Sequence, residues 1–317
     1  MAHETTTWRA PAKLNLFLHV VGRRPDGYHL IQSVMQRIDL CDTITITPTD
    51  DGRISRTRDV AGVAEADDLA IRAARLLQSS ANTRRGAAIG VEKVIPMGGG
   101  LGGGSSDAAT VLVALDRLWG LHWPRERLME LGLALGADVP FFVGGSDAFV
   151  EGIGERITPI ALSPACFVVV HPGIAVPTAA IFGDPELTRD TEVIKISDFS
   201  EVATGGHSSA HPHASPHCRR AASEGFGRFA NDLEAVAARR FEPVGEALRW
   251  LADDHAAGSG RPGAAGPARM SGSGACLFRP FVDRESAESC LRALPSAWTG
   301  WVVESFEPRT LDVRSDV

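Results

Sequence analysis

At 317 residues the chain is long enough for about two domains, each able to bury a core. Its 44% hydrophobic and 22% charged residues are ordinary for a soluble globular protein. The net charge of −7, with no basic stripe, argues against a nucleic-acid partner, so an anionic substrate would need local cations. Five scattered cysteines (Cys41, Cys166, Cys218, Cys276 and Cys290) have no paired C-x-x-C spacing. They argue against a disulfide framework or zinc ribbon and read as reduced core thiols. No apolar run is long enough for a bilayer, and Met1 to Arg9 lacks a signal peptide's apolar segment. The expectation is a cytoplasmic soluble protein.

Lys13 to Val21 alternates Leu14, Leu16, Leu18 and Val20 against Lys13, Asn15, Phe17 and His19, a strand pattern. Arg23 to Tyr28 is a turn around Pro25-Asp26-Gly27, and Asp42 to Thr47 reads as a second strand. Asp67 to Gln78 reads as a helix capped by Asp67. Ile89, Val91 and Ile95 mark another strand. Then comes Pro96-Met97-Gly98-Gly99-Gly100-Leu101-Gly102-Gly103-Gly104-Ser105-Ser106-Asp107, with six glycines in seven residues. It runs into a helical stripe of Ala108, Val111, Leu112, Leu115 and Leu118, with Gly120 as the stop. Pro124 opens a short helix, and Ala148 to Ile160 reads as strand.

A boundary near 159–164 divides the chain into residues 1–160 and 161–317. Beyond it Cys166 to Val170 is a buried-strand run, and Asp232 to Leu251 is a helix broken or bent at Pro243. Gly274 to Phe278 and Trp301 to Phe306 read as strands around a helix at Asp283 to Leu294. Two segments, Ala203 to Ala222 and Gly258 to Pro267, read as inserted mobile loops. The first carries His207, His211, His213, His217 and Cys218. These are metal-ligand residue types, but their spacing matches no standard finger, and a disordered His-rich loop is the better reading. Helices mixed with short strands imply an α+β protein.

The glycine loop lies where a strand turns into a helix N-terminus. There the first helical N–H groups lack internal partners and the dipole is positive, so the loop is a phosphate cradle. Gly98, Gly100 and Gly103 satisfy G-x-G-x-x-G, but no acidic residue closes a second strand about 20 residues on, as a dinucleotide site needs. No Gly-Lys-Ser/Thr ends the loop as in a Walker site, and the H-R-D and D-F-G signatures of protein kinases are absent.

Three motifs stand in order: Pro11-Ala12-Lys13-Leu14-Asn15-Leu16, the glycine loop, and Ser271-Gly272-Ser273-Gly274-Ala275-Cys276. This order resembles the GHMP kinase superfamily, named for galactokinase, homoserine, mevalonate and phosphomevalonate kinases. Arg24-Pro25-Asp26-Gly27-Tyr28-His29, Leu135-Gly136-Ala137-Asp138-Val139-Pro140 and Asn231-Asp232-Leu233-Glu234 narrow the resemblance. They point to the branch that phosphorylates the 2-hydroxyl of 4-diphosphocytidyl-2-C-methyl-D-erythritol in the non-mevalonate isoprenoid precursor pathway. The alternative is another small-molecule kinase of the superfamily, of homoserine or mevalonate type. A third reading is a non-catalytic ATP-binding regulator, against which Lys13 and Asp138 both argue.

The resemblance implies a two-domain fold, with an N-terminal domain like ribosomal protein S5 domain 2 and a ferredoxin-like C-terminal domain. It implies ATP and Mg²⁺, a small-molecule substrate, and neither nucleic acid nor membrane as partner. It assigns Asp138 as the proton acceptor and Lys13 as its cationic neighbour; on the residues alone these read as a cap and an exposed strand lysine. Pro96, Met97, Gly98, Gly99, Gly100, Leu101, Gly102, Gly103 and Gly104 wrap the ATP phosphates. Ser105 and Ser106 add hydroxyls to phosphate or magnesium, and Asp107 caps the helix. Asn15 bonds substrate or Asp138. Tyr28 and Phe182 stack on cytosine, His29 reads its edge, and Thr178 borders the same pocket. On sequence alone Phe182 reads as a core or loop anchor. The motifs name no magnesium ligand and no oligomeric state.

Overall fold

Two long strands, β1 (Thr6–Arg23) and β2 (His29–Thr49), pair antiparallel along nearly their whole length. The turn 24–28 joins them, with Arg24 N donating to Tyr28 O at 2.7 Å. The computed structural model describes residues 4–196, 229–253 and 263–306. Both strands outrun their expected bounds, because the sequence pattern of alternation fails where both faces are covered. Residues 10–20 are all buried. Register shifts at Pro11/Ala12, Asn15/Phe17 and Val20/Gly22 bend the ladder. The expected alternation is therefore broken, and Leu14, Leu16 and Phe17 enter one core cluster.

β2 pairs on one stretch with β4 (Gly86–Glu92) and on another with β5 (Ala148–Gly152). β3 (Ile54–Arg56) lies parallel to β4, and β6 (Arg156–Pro159) extends β5. The expected single strand 148–160 is thus a hairpin. Helices α1 (Leu69–Ser80), α2 (Gly103–Leu118), α3 (Arg125–Leu133) and α4 (Val139–Gly144) share a core with this sheet. The α1 cap is Asp68, not Asp67: its carboxylate accepts from Ala70 N at 3.0 Å. Ile95 lies beyond β4, while Gly120 ends α2 with φ +68° as expected.

The second sheet holds β7 (Cys166–His171), β8 (Arg269–Met270), β9 (Leu277–Phe281) and β10 (Thr299–Glu304), in the order β10-β7-β9-β8 and antiparallel throughout. Between β7 and β8 come α5 (Thr178–Phe182), α6 (Glu234–Arg240) and α7 (Glu242–Ala252); α8 (Arg284–Arg292) links β9 to β10. The expected helix over 232–251 breaks at Phe241, whose extended backbone lets Pro243 sit in the first turn of α7. Residues 274–276 form a turn rather than strand, since β9 begins at Leu277.

The His-rich segment, with Cys218, lies outside the described residues. Of the second expected loop, 263–267 is held rather than mobile: Ala265 N donates to Pro280 O at 2.9 Å, and Val282 N to Gly263 O at 2.8 Å. Among the described residues, Cys41, Cys166, Cys276 and Cys290 form no disulfide with one another.

A third core cluster lies between the sheets and mixes Phe17, Ile38 and Leu101 with Phe167, Val169 and Phe278. Phe17 is fully buried, with its ring centroid 5.1 Å from that of Phe229. Leu18 of β1 also bonds both ways to the chain before α6, through Leu18 N to Ala230 O and Asp232 N to Leu18 O. Phe17→Ala is therefore expected to cost about 3–5 kcal/mol of folding stability in a denaturant titration.

Candidate active site

The glycine loop is held from outside its own half of the chain. Ser271 Oγ donates to Gly100 O at 3.0 Å, Ala275 N to Gly98 O at 3.3 Å, and Cys276 N to Gly99 O at 3.0 Å. Gly100 has φ +73°, and a Cβ there would sit 2.2 Å from Ser271 O, so only glycine fits. The turn 271–276 and the loop therefore meet backbone to backbone. Ser271 Oγ also accepts from Asn15 N at 3.2 Å, and Lys13 N donates to Leu101 O at 3.0 Å. Three distant motifs of the sequence thus converge on one contact.

α2 begins at Gly103, inside the glycine run, with left-handed Gly102 as its cap residue. Two cavities border this loop. A cleft of about 780 Å³ is lined by Lys13, Asn15, Tyr28, His29, Asp138, Thr178 and Phe182. A second, of about 370 Å³, is walled by Val60, Val63, Leu69, Ile95 and Met97 and floored by Pro96 to Ser105. Gly98, Gly100, Gly102 and Ser105 line both.

Lys13 is buried, and its ammonium lies 3.6 Å from Asp138 Oδ2. Lys13 Nζ also donates to Asn15 Oδ1, and Asn15 Nδ2 donates to Ser33 Oγ at 2.8 Å. Asn15 thus orients the lysine rather than Asp138. Asp138 stands at the start of α4, yet its side chain caps no N–H. Its carboxylate is 29% exposed and faces the cleft, so the capping explanation fails.

At the far end of the cleft, Tyr28 is exposed, and His29 and Phe182 touch with ring centroids 4.9 Å apart. Thr178 Oγ1 and Ser273 Oγ share a 2.8 Å hydrogen bond. Burial, followed by the charges of Arg189 and Arg23, holds the His29 pKa below its ordinary value.

Two expectations fail here. Ser106 is fully buried and borders neither cavity; it lines a separate pocket of about 20 Å³ with Thr110 and Arg125, because its position in α2 turns it away from the cradle. Asp107 caps nothing, because Gly102 occupies the cap position five residues earlier. Its Oδ2 instead accepts from Lys93 Nζ at 2.7 Å, and the same ammonium lies 2.5 Å from Asp42 Oδ2. Asp42 Oδ1 accepts from Val94 N and Ile95 N at 2.6 and 2.9 Å. The triad thus ties the entry of the glycine loop to its exit. Lys93 and Asp42 were not singled out from sequence, since a lone lysine and a lone aspartate 51 positions apart carry no local signal. Asn231, which donates to Met270 O and Gly272 O at 2.8 Å each, supports the 271–276 turn.

The GHMP kinases N terminal domain family matches residues 68–146, and the GHMP kinases C terminal family matches 219–300. The 4-diphosphocytidyl-2-C-methyl-D-erythritol kinase of Ralstonia nicotianae is 52% identical over 92% of this chain and 90% of its own length. That of Bordetella parapertussis is 53% identical over 86% and 81%. The chain belongs to the 4-diphosphocytidyl-2-C-methyl-D-erythritol kinase family of GHMP kinases. A crystal structure of 4-(cytidine 5'-diphospho)-2C-methyl-D-erythritol kinase superposes with a TM-score of 0.74 at 32% identity, covering 95% of this chain and all of that one. Homoserine kinase from Cytophaga hutchinsonii shares the fold, with a TM-score of 0.67 at 16% identity over 95% and 94% of the two chains. Kinases of this family are ATP-dependent. No described helix is long and apolar enough to cross a membrane.

Burial pushes the Asp107 carboxyl up to about 7; Lys93 opposes that rise and Asp42 adds to it. A folded-state pKa above the ordinary value means that proton uptake stabilises the fold at low pH. That contribution is lost as pH rises through about 7. Asp107→Asn cannot ionise and keeps the shape. Its melting temperature relative to the parent is expected to rise between about pH 5 and pH 8. A pH-independent difference would show that Asp107 does not titrate there.

Proposed function

We propose that the chain transfers the γ-phosphoryl group of ATP to the 2-hydroxyl of 4-diphosphocytidyl-2-C-methyl-D-erythritol. The observation that carries this reading is the meeting of two cavities along Gly98, Gly100, Gly102 and Ser105, with Lys13 and Asp138 on the larger side. ATP lies with its base in the apolar 370 Å³ cavity and its phosphates along Pro96 to Ser105. The first N–H groups of α2 and its dipole favour the anion there. The acceptor alcohol occupies the larger cleft. Tyr28 and Phe182 give apolar faces to the pyrimidine, His29 reads its edge, and Thr178 borders the pocket.

Phosphoryl transfer rests on positioning and charge stabilisation. Asp138, exposed to the cleft and free of capping duty, accepts the hydroxyl proton as the oxygen attacks phosphorus. The Lys13 ammonium, 3.6 Å from that carboxylate, offsets charge on the transferring group. Asn15 fixes the lysine through Oδ1. A magnesium ion would be carried mainly by phosphate and water. Ser105, bordering both cavities, is the hydroxyl that would hold it, and the ion would neutralise phosphate charge.

The halves 1–160 and 161–317 are the two functional domains on this reading. The second has the β-α-β-β-α-β connectivity and 4-1-3-2 sheet order of a ferredoxin-like fold, which supports that description. The likeness of the first to ribosomal protein S5 domain 2 rests on the family resemblance.

Two measurements test the proposal. Purified protein with ATP, magnesium and the diphosphocytidyl alcohol should release ADP, while homoserine and mevalonate should not support release. Turnover with either control and none with the diphosphocytidyl alcohol would contradict the substrate. Asp138→Asn should lower kcat by about 10²–10⁴-fold with nucleotide affinity nearly unchanged. Near-normal turnover would remove Asp138 from the mechanism.

A further inference from the structure

Arg189 stands behind the pyrimidine pocket in the loop after α5. Its guanidinium makes four hydrogen bonds. Nη1 donates to Leu187 O at 2.9 Å, and Nη2 donates to Phe182 O at 3.0 Å and Asp184 O at 2.7 Å. Nε donates to His29 Nε2 at 3.1 Å. The loop is itself tied down, since Asp184 receives Arg239 at 2.8 Å and Arg240 at 3.3 Å. One half-buried side chain therefore binds both His29 and the carbonyl of Phe182, whose rings touch at the cleft wall.

The bond to His29 has a chemical consequence. A guanidinium has five donors, no acceptor, and keeps its charge. The imidazole nitrogen that receives it must offer a lone pair. Nε2 is thus unprotonated, and the ring proton sits on Nδ1. A doubly protonated ring would place an N–H and a positive charge against Arg189, with Arg23 nearby as well.

We propose that Arg189 is a positioning residue for base selection, holding His29 as the Nδ1–H tautomer so that the cleft presents a hydrogen-bond donor to the pyrimidine edge. Cytosine carries an acceptor at N3, whereas uracil carries N3–H there. A fixed donor pairs with the first and faces a second donor in the other. A buried polar group left without its partner loses affinity, and such a mismatch discriminates more strongly than lost apolar contact. The same guanidinium, through Phe182 O, sets the stacking wall beside that edge. This inference rests on the assignment of Tyr28, His29 and Phe182 to the pyrimidine.

The test has a spectroscopic arm and a kinetic arm. Protein labelled with ¹⁵N-histidine, with His29 assigned by loss of its signals in His29→Gln, is observed by long-range ¹H–¹⁵N correlation. The parent protein should show a pyridine-type Nε2 and a pyrrole-type Nδ1 for His29. In Arg189→Met that preference should weaken, and Arg189→Lys, which keeps a cationic donor, should restore part of it.

In the kinetic arm, KM is measured for the cytidine and uridine forms of the acceptor and for ATP. Arg189→Met should reduce the cytidine preference by about tenfold, the loss of one hydrogen bond. KM for ATP and kcat should be nearly unchanged. A parent His29 protonated on Nε2 would overturn the proposal, as would an Arg189→Met enzyme that keeps its full cytidine preference. A loss shared equally by the acceptor and ATP would also overturn it, because that marks a fold defect. If the parent turned over no cytidine-containing acceptor, the pocket assignment would fall, while the tautomer measurement would still decide the Arg189–His29 bond.

Discussion

The site depends on one close contact: the backbone of the glycine loop against the backbone of the turn 271–276. No side chain fits between Gly100 and Ser271 O, where a Cβ would have 2.2 Å. Removing the side chain lets three carbonyls of the loop take hydrogen bonds from the other half of the chain. The loop's carbonyls are thereby turned to the protein. Lys13 is fastened to the same loop through Leu101 O. Three of the four residues that line both cavities, Gly98, Gly100 and Gly102, carry no side chain.

Charge is arranged around this contact in two ways. At the larger cleft, one buried ammonium faces one cleft-exposed carboxylate 3.6 Å away. At the nucleotide side, Lys93 is shared between Asp42 and Asp107. Burial lowers the Lys93 pKa, but the two carboxylates raise it further, so the ammonium stays charged. With Asp107 protonated the triad is neutral, and it places no net negative charge beside the glycine loop. On the proposed reading, a protein of net charge −7 binds a polyanion through local groups and a helix end rather than through its overall field.

Much of this was legible in the chain. The glycine loop shows its chemistry in residue type and spacing, whereas Lys13, Asp138 and the Tyr28–His29 pair sit in short motifs whose roles only the family resemblance implies. What the sequence hid was of two kinds. Long strands buried on both faces, such as β1 and β2, lose the alternation that marks a half-exposed strand, and bulges at Asn15/Phe17 and elsewhere shift it further. Partners far apart in sequence leave no local pattern, so Ser271 as the link to Gly100, Lys93 with Asp42, and Arg189 behind His29 emerge only from the fold. Ser106 was misread for a related reason. Adjacent residues on a helix point about 100° apart, so Ser105 lines the cavities and Ser106 does not.

The account's central claim is the division of labour between the two cavities. The most direct test is a crystal structure of the protein with a non-hydrolysable ATP analogue and the diphosphocytidyl alcohol bound together. The account predicts the adenine in the pocket walled by Val60, Leu69 and Met97, the phosphates along Gly98 to Ser105, and the cytosine between Tyr28 and Phe182. The acceptor hydroxyl should lie within hydrogen-bond reach of Asp138. A cytosine in the apolar pocket, or an acceptor hydroxyl turned away from Asp138 toward solvent, would contradict it.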